Sequence, residues 1–205
     1  GIAVQFITAW NAVVIYGRAA AGETVLVQGG AGGVGMAAIQ LAKAIGCRVI
    51  ATASTPEKVE ICRAMGADET INYREEDFAE GCSEITAGRG LDVIIEMVAD
   101  VNLDKDIDAI RPTGRIVVVG TSKGLDPDAS FSVQKALIKD AQILCLSMVN
   151  LAPRLPELTR RFSPILEAGK IRMHVFREMP LAEANEAHNL LWNGEVMGKL
   201  VLTPL

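Results

Sequence analysis

The stretch Thr24-Val25-Leu26-Val27-Gln28-Gly29-Gly30-Ala31-Gly32-Gly33-Val34-Gly35 decides the fold. Its β-branched start reads as a short buried strand, and glycines follow at once. Gly30, Gly32 and Gly35 satisfy the spacing G-x-G-x-x-G. From Gly33 to Ile45 apolar residues recur at helical intervals, and Gly46 is placed to cap that helix. A glycine turn between strand and helix can serve close packing alone. It can also let a pyrophosphate reach the free backbone N–H groups at the helix N-terminus.

The flanking units favour the second reading. Arg48 to Ala53 returns to strand character and completes a strand–helix–strand unit. Thr55 is a helix N-cap with Pro56 at the first helical position, the helix runs to Met65, and Gly66 ends it. Further strands are predicted at 69–72, 92–97, 115–119 and 142–148, with helices at 76–86, 103–111 and 133–139. A leading helix covers Thr8 to Ala12. The expected fold class is therefore α/β: a Rossmann fold, doubly wound, with a six-stranded parallel sheet in the order 3-2-1-4-5-6. Beyond Asn150 the pattern changes to helices at 158–168 and 182–192 and an alternating strand at 199–203, with Pro164 blurring the first helix boundary. We divide the chain into a dinucleotide-binding domain at 1–175 and a C-terminal segment at 176–205.

Composition limits the alternatives. Half of the 205 residues are hydrophobic, only 4% are aromatic, and the apolar weight lies in aliphatic runs of the kind that doubly covered parallel strands require. A formal net charge of −5 without a basic tract gives nucleic acid no electrostatic footing. No apolar run reaches the roughly 18 to 20 residues of a membrane span. The first 16 residues lack a basic leader, so they read as an internal helix of a longer protein. Cys47, Cys62, Cys82 and Cys145 have no metal-binding or disulfide spacing and read as buried thiols in a reducing, cytoplasmic compartment. No metal is expected. Met97, Met148 and Met197 read as packing residues, His174 and His188 as structural, and Asp104-Lys105-Asp106 as a solvated helix face.

Cofactor choice turns on the end of the second strand. A domain of this kind that binds NAD carries an acid about 20 residues past the glycines to hold the ribose hydroxyls. Here Ala53-Ser54-Thr55 stands in that place and Lys58 follows one turn later, a set of hydroxyls and one cation suited to a 2′-phosphate. A charge-assisted hydrogen bond of about 1.5 to 3 kcal/mol corresponds to roughly ten- to hundred-fold preference for NADPH.

With these residues assembled, the chain resembles the medium-chain dehydrogenase/reductase superfamily, and within it the zinc-independent quinone oxidoreductases related to zeta-crystallin. The resemblance is carried by Gly22 to Val27 leading into Gly32-Gly33-Val34-Gly35, by Gly66-Ala67-Asp68, Ile71 to Glu75, Glu96-Met97, Val101-Asn102-Leu103 and Gly114 to Gly120. It implies that Gly30, Ala31, Gly32, Gly33, Val34 and Gly35 hold the pyrophosphate, and that Ser54, Lys58 and Tyr73 surround the adenosine ribose and its 2′-phosphate. It further implies that Asn102 lies near the middle of the cofactor, that Val119, Gly120, Thr121, Leu146, Ser147 and Met148 face the nicotinamide, and that Thr8 borders it. The implied activity is NADPH-dependent reduction of a quinone or enone. The implied assembly is a homodimer through the strand at 142–148. A GroES-like substrate domain would precede Gly1, which would leave the strand at 199–203 an orphan returning towards it. An enoyl-thioester reductase, such as the reductase domain of a polyketide synthase, and a non-catalytic NADPH-binding module are the competing readings.

Overall fold

A computed structural model describes residues 2–122, 128–169 and 171–204. Helix α1 (Ile2–Trp10) runs on through a wider turn over Asn11–Tyr16. Six strands alternating with five helices follow: β1 (Thr24–Val27), α2 (Gly33–Ile45), β2 (Arg48–Ala53), α3 (Pro56–Ala64), β3 (Glu69–Asn72), α4 (Phe78–Ile85), β4 (Leu91–Glu96), α5 (Ala99–Ala109), β5 (Ile110–Val118), α6 (Val133–Ile138) and β6 (Gln142–Cys145). Their strands form one parallel sheet in the order β3-β2-β1-β4-β5-β6, the doubly wound arrangement read from the sequence.

Side-chain alternation explains why both faces of the sheet are covered. Val25, Val27, Val49, Ala51, Val93, Ile95 and Val117 point into one core shared with α1, α2 and α3. Their neighbours Leu26, Ile50, Ile94 and Ile116 point into the other, shared with α4 and α5. A strand buried on both faces has no polar side to display, hence the unbroken aliphatic runs. Helix α8 (Leu155–Glu167) closes the first core, its Phe162 stacking on Phe6 of α1 with ring centroids 5.3 Å apart. Pro164 sits inside α8 without ending it.

Three sequence expectations are corrected. The strand expected at 142–148 ends at Cys145, because Met148 opens a short helix, α7 (Met148–Leu151). The helix expected at 103–111 spans Ala99–Ala109, because the chain enters β5 at Ile110, ahead of the strand start expected at Arg115. The strand at 199–203 is not an orphan: β7 (Val175–Pro180) pairs with β8 (Lys199–Thr203) in parallel, joined by the crossover helix α9 (Ala184–Trp192). Gly198, just before β8, donates its N–H to the Ala31 carbonyl at 2.8 Å and so ties this small sheet to the glycine loop.

Candidate functional site

The carboxyl ends of β1, β2 and β4 open onto one crevice, and the glycine loop forms its rim. A Cβ at Gly30 would lie 2.9 Å from both the Ala51 Cβ and the Cys62 Sγ, and one at Gly35 would lie 2.4 Å from the Gly29 carbonyl oxygen. These glycines let α2 approach the sheet closely. Gly32, by contrast, is the N-cap of α2 and meets only the Gly29 oxygen at 3.4 Å, so backbone is what the loop presents to the crevice. A cradle of this form fits a phosphate, because the first N–H groups of a helix lack internal partners and carry partial positive charge.

Beside the loop lies a cavity of about 200 Å³ lined by Gly29, Ala31, Gly32, Ala53, Ser54, Lys58, Tyr73, Gly194 and Val196. Five of the sequence candidates meet here: Ala31, Gly32, Ser54, Lys58 and Tyr73. The reason is local. Thr55 caps α3 by accepting the Lys58 N–H, which fixes the first turn and brings the Lys58 ammonium to 3.4 Å from the Ser54 hydroxyl. The same ammonium donates to the Gly194 carbonyl. Tyr73, half exposed, is anchored by its N–H on the Ala53 carbonyl at 3.1 Å. The Gly194–Val196 wall escaped the sequence reading, although Asn193-Gly194 is a recognisable turn signal.

Asn102 stands apart, in a neighbouring cavity of about 280 Å³ that also takes in Gln28, Tyr73, Val98 and Val101. Tyr73 borders both cavities. The remaining candidates gather where β5 and β6 end. The Val119 N–H is used by the Glu96 carbonyl at 2.8 Å, the Gly120 carbonyl accepts from Ala99 at 3.2 Å, and the exposed Thr121 precedes a serine held by Asp100. The Leu146 N–H is used by Val118 at 2.9 Å, Ser147 is exposed, and the Met148 sulfur accepts from the buried Thr8 hydroxyl at 3.0 Å. The Thr8–Met148 contact joins α1 to the end of β6.

Beneath the crevice runs a buried polar chain that the sequence reading missed. The Gly29 N–H donates to the Thr52 hydroxyl at 3.1 Å, Thr52 donates to the Gln28 side-chain oxygen at 2.6 Å, and the Gln28 amide donates to Asp106 at 3.4 Å. Asp106 faces Glu96, whose charge acts on it, and Glu96 accepts from the Val98 N–H and, at 3.3 Å, from the Asn102 amide. Asp106 and Glu96 are both fully buried. Burial and the neighbouring Glu96 charge push the Asp106 carboxyl up to about 9, and burial also raises Glu96. The charged run at 104–106 is thus not a solvated face throughout: Asp104 pairs with Lys135 and Lys105 with Asp77, while Asp106 points inward.

Cys47, Cys62 and Cys82 are buried as expected, whereas Cys145 is exposed on β6. Burial pushes Cys62 and Cys82 up to about 12, which suits packing and not nucleophilic chemistry. Met97, Met148 and Met197 pack against the core. Among the described residues no helix is long and apolar enough to cross a membrane.

A doubly wound parallel sheet with a glycine loop at the carboxyl end of its first strand defines a Rossmann-type domain of the dehydrogenase class. The chain belongs to the zinc-binding dehydrogenase family, whose pattern matches residues 33–163, and to the medium-chain dehydrogenase/reductase superfamily, alongside the quinone oxidoreductases. It is 32% identical to the quinone oxidoreductase of Homo sapiens over 206 residues, covering 98% of this chain and 60% of that protein. It is also 32% identical, over 207 residues, to a phenolphthiocerol/phthiocerol polyketide synthase of Mycobacterium tuberculosis, covering 98% of this chain and 9% of that one. The crystal structure of Escherichia coli quinone oxidoreductase complexed with NADPH superposes with a TM-score of 0.89 at 27% identity, over 98% of this chain and 63% of that chain. The chain thus spans about 60% of the length of the curated quinone oxidoreductases it matches.

Proposed function

We propose that this chain is the NADPH-binding part of a quinone oxidoreductase, passing reducing equivalents from nicotinamide to a quinone. The observation that carries this reading is the meeting of Ser54, Lys58 and Tyr73 with the backbone of Ala31 and Gly32 around one small cavity, with no carboxylate among its described lining residues. That set suits a 2′-phosphate and lacks the carboxylate that would accept from both hydroxyls of a free ribose diol. When bound, the dihydronicotinamide supplies a hydride.

The chain's own work is to bind and orient. Backbone groups from Gly30 to Gly35 meet the pyrophosphate at the start of α2, and Asn102 meets the middle of the dinucleotide. Thr8, Val119 to Thr121 and Leu146 to Met148 border the nicotinamide. Quinones are already electrophilic, so orientation and exclusion of water suffice on the protein's side. The C-terminal segment, 176–205, meets a substrate-binding part of the whole enzyme. Exposed Val133, Leu137, Ile138 and Val149 beside β6 support a homodimer through that edge. A cytoplasmic location goes with this chemistry.

The test is calorimetric titration of the chain with NADPH and NADH at matched ionic strength. NADPH binds more tightly, and Lys58→Ala weakens it by roughly ten- to hundred-fold while leaving NADH unchanged. Equal weakening of both cofactors, or none, removes Lys58 from the phosphate pocket. The likeness to a polyketide synthase favours a second reading, an enoyl-thioester reductase. Turnover of crotonyl thioesters against quinones by the protein containing this chain separates the two.

A further inference from the structure

The donor chain under the crevice runs in one direction from the glycine turn to Asp106 and meets Glu96 there. Gly29 gives to Thr52, Thr52 to Gln28, and Gln28 to the Asp106 Oδ1, while Asn102 and Val98 give to Glu96 from the other side. With both carboxyls ionised, the buried Asp106 Oδ2 has no donor. A single proton on it donates to Glu96 and completes the sequence from the glycine turn to Asn102. We propose that Glu96 and Asp106 share one proton and act together as a positioning pair, locking the Gly29–Gly30 turn and the Asn102 amide in register for the dinucleotide. This inference rests on the dinucleotide reading of the crevice.

Two buried like charges in contact oppose ionisation of the second. Asp100 in the first turn of α5 strengthens that opposition by acting on Glu96, while the buried Cys82 thiol of α4, which faces Asp106, is held neutral by burial. β1 and β2 contribute the neutral Gln28 and Thr52. Deprotonating Asp106 sets carboxylate against carboxylate, breaks the chain at its midpoint and frees Asn102. Asparagine at 106 keeps the polarity, because its amide donates to Glu96 and its oxygen accepts from Gln28, yet it carries no proton to lose.

The experiment measures NADPH affinity of this chain, wild type, Asp106→Leu and Asp106→Asn, between pH 7 and 10. Asp106→Leu weakens binding about tenfold, the equivalent of one donor–acceptor link lost, and Asp106→Asn recovers most of it at pH 7. As pH rises the wild-type affinity falls at least a further fivefold relative to Asp106→Asn; ionisation of surface cations is common to both and cancels in the ratio. A ratio that stays constant with pH overturns the proposal, whether or not Asp106→Leu folds. Carboxyl-carbon NMR of the free wild type gives a reading independent of cofactor: one carboxyl titrates far above the ordinary range and is missing from Asp106→Asn. Ordinary titration of both carboxyls overturns the shared proton. If that signal is present but NADPH binds to neither protein, the dinucleotide reading and the positioning role fall together, and the shared proton stands as a property of the fold.

Discussion

Gly35→Ala is expected to lower both stability and NADPH affinity, and Gly33→Ala to do much less. At Gly35 the added methyl meets backbone, the Gly29 carbonyl oxygen at 2.4 Å and the Gly30 Cα at 2.8 Å, so the turn itself must move. Overpacking of this kind costs about 1–3 kcal/mol, a fall of roughly 2–12 °C in Tm for a domain of this size. Moving the turn also withdraws the N–H groups that meet the pyrophosphate, so NADPH affinity falls more than about tenfold. At Gly33 the added methyl meets the side-chain amide of Gln5, the far end of a flexible chain that can retreat. Thermal melts and NADPH titrations of the two variants check the contrast. Equal losses would mean that the close approach of α2 to β1 does not set the loop.

Asp92→Ala is expected to cost the most stability while leaving cofactor selectivity alone. Asp92 lies near the start of β4, at the end of the sheet away from the crevice. It is 3% exposed and accepts from Arg89, from Arg111 and, at 2.8 Å, from the Thr24 N–H. Removing one partner of a buried pair costs about 3–5 kcal/mol. Both arginines are partly exposed and can rehydrate, so about 3 kcal/mol is the better figure. Tm then drops by roughly 6–12 °C, with the ratio of NADPH to NADH affinity unchanged.

The same residue sets the acid limb of stability. Burial pushes the Asp92 carboxyl up, but hydrogen bonds from Arg89, the Thr24 N–H and Arg111 outweigh burial and hold it down at about 2. A carboxyl depressed in the folded state contributes stability above its unfolded pKa of about 3.9. That contribution, about 2–3 kcal/mol, is lost as pH falls from about 4 through 2. Denaturant titrations at pH 6 and pH 2.5 therefore converge for wild type and Asp92→Ala as pH falls.

The sheet was legible because β1, β2, β4 and the second half of β5 carry short aliphatic runs between turn residues, and because Thr55, Gly46 and Gly66 mark helix ends by their own chemistry. Strand β7 was not. Val175-Phe176-Arg177-Glu178-Met179-Pro180 carries adjacent charges and a terminal proline, and its stability comes from pairing with β8 across the α9 crossover, which no local pattern encodes. The early end of β6 has a similar cause. Leu146-Ser147-Met148 carries no local stop signal, and Met148, at the start of α7, is in contact with Thr8 of α1, which lies 140 residues away in the chain.

The candidate site divides in the same way. Lys58 and Ser54 were legible from their distance to the glycine loop, and the Thr55 cap brings them together. Asp106 was misread because three consecutive charged residues look alike in sequence. On a helix laid against a sheet they point about 100° apart, and Asp106 shares the inward face with Asn102, one turn before it. Glu96 offered a signal: an acid directly after the apolar run Val93-Ile94-Ile95 of a fully buried strand demands a buried partner.

The measurement that tests the central claim most directly is amide chemical-shift mapping of the chain during titration with NADPH. With NADPH bound at the glycine loop, the amides of Ala31 to Val34, Ser54, Lys58, Tyr73 and Gly194 move together and saturate with one affinity. A larger cavity of about 490 Å³ lies on the outer side of α3, lined by Pro56, Glu60, Arg63, Thr70 and Glu75 among others. Shifts confined to that cavity, with the glycine loop unmoved, would contradict the account.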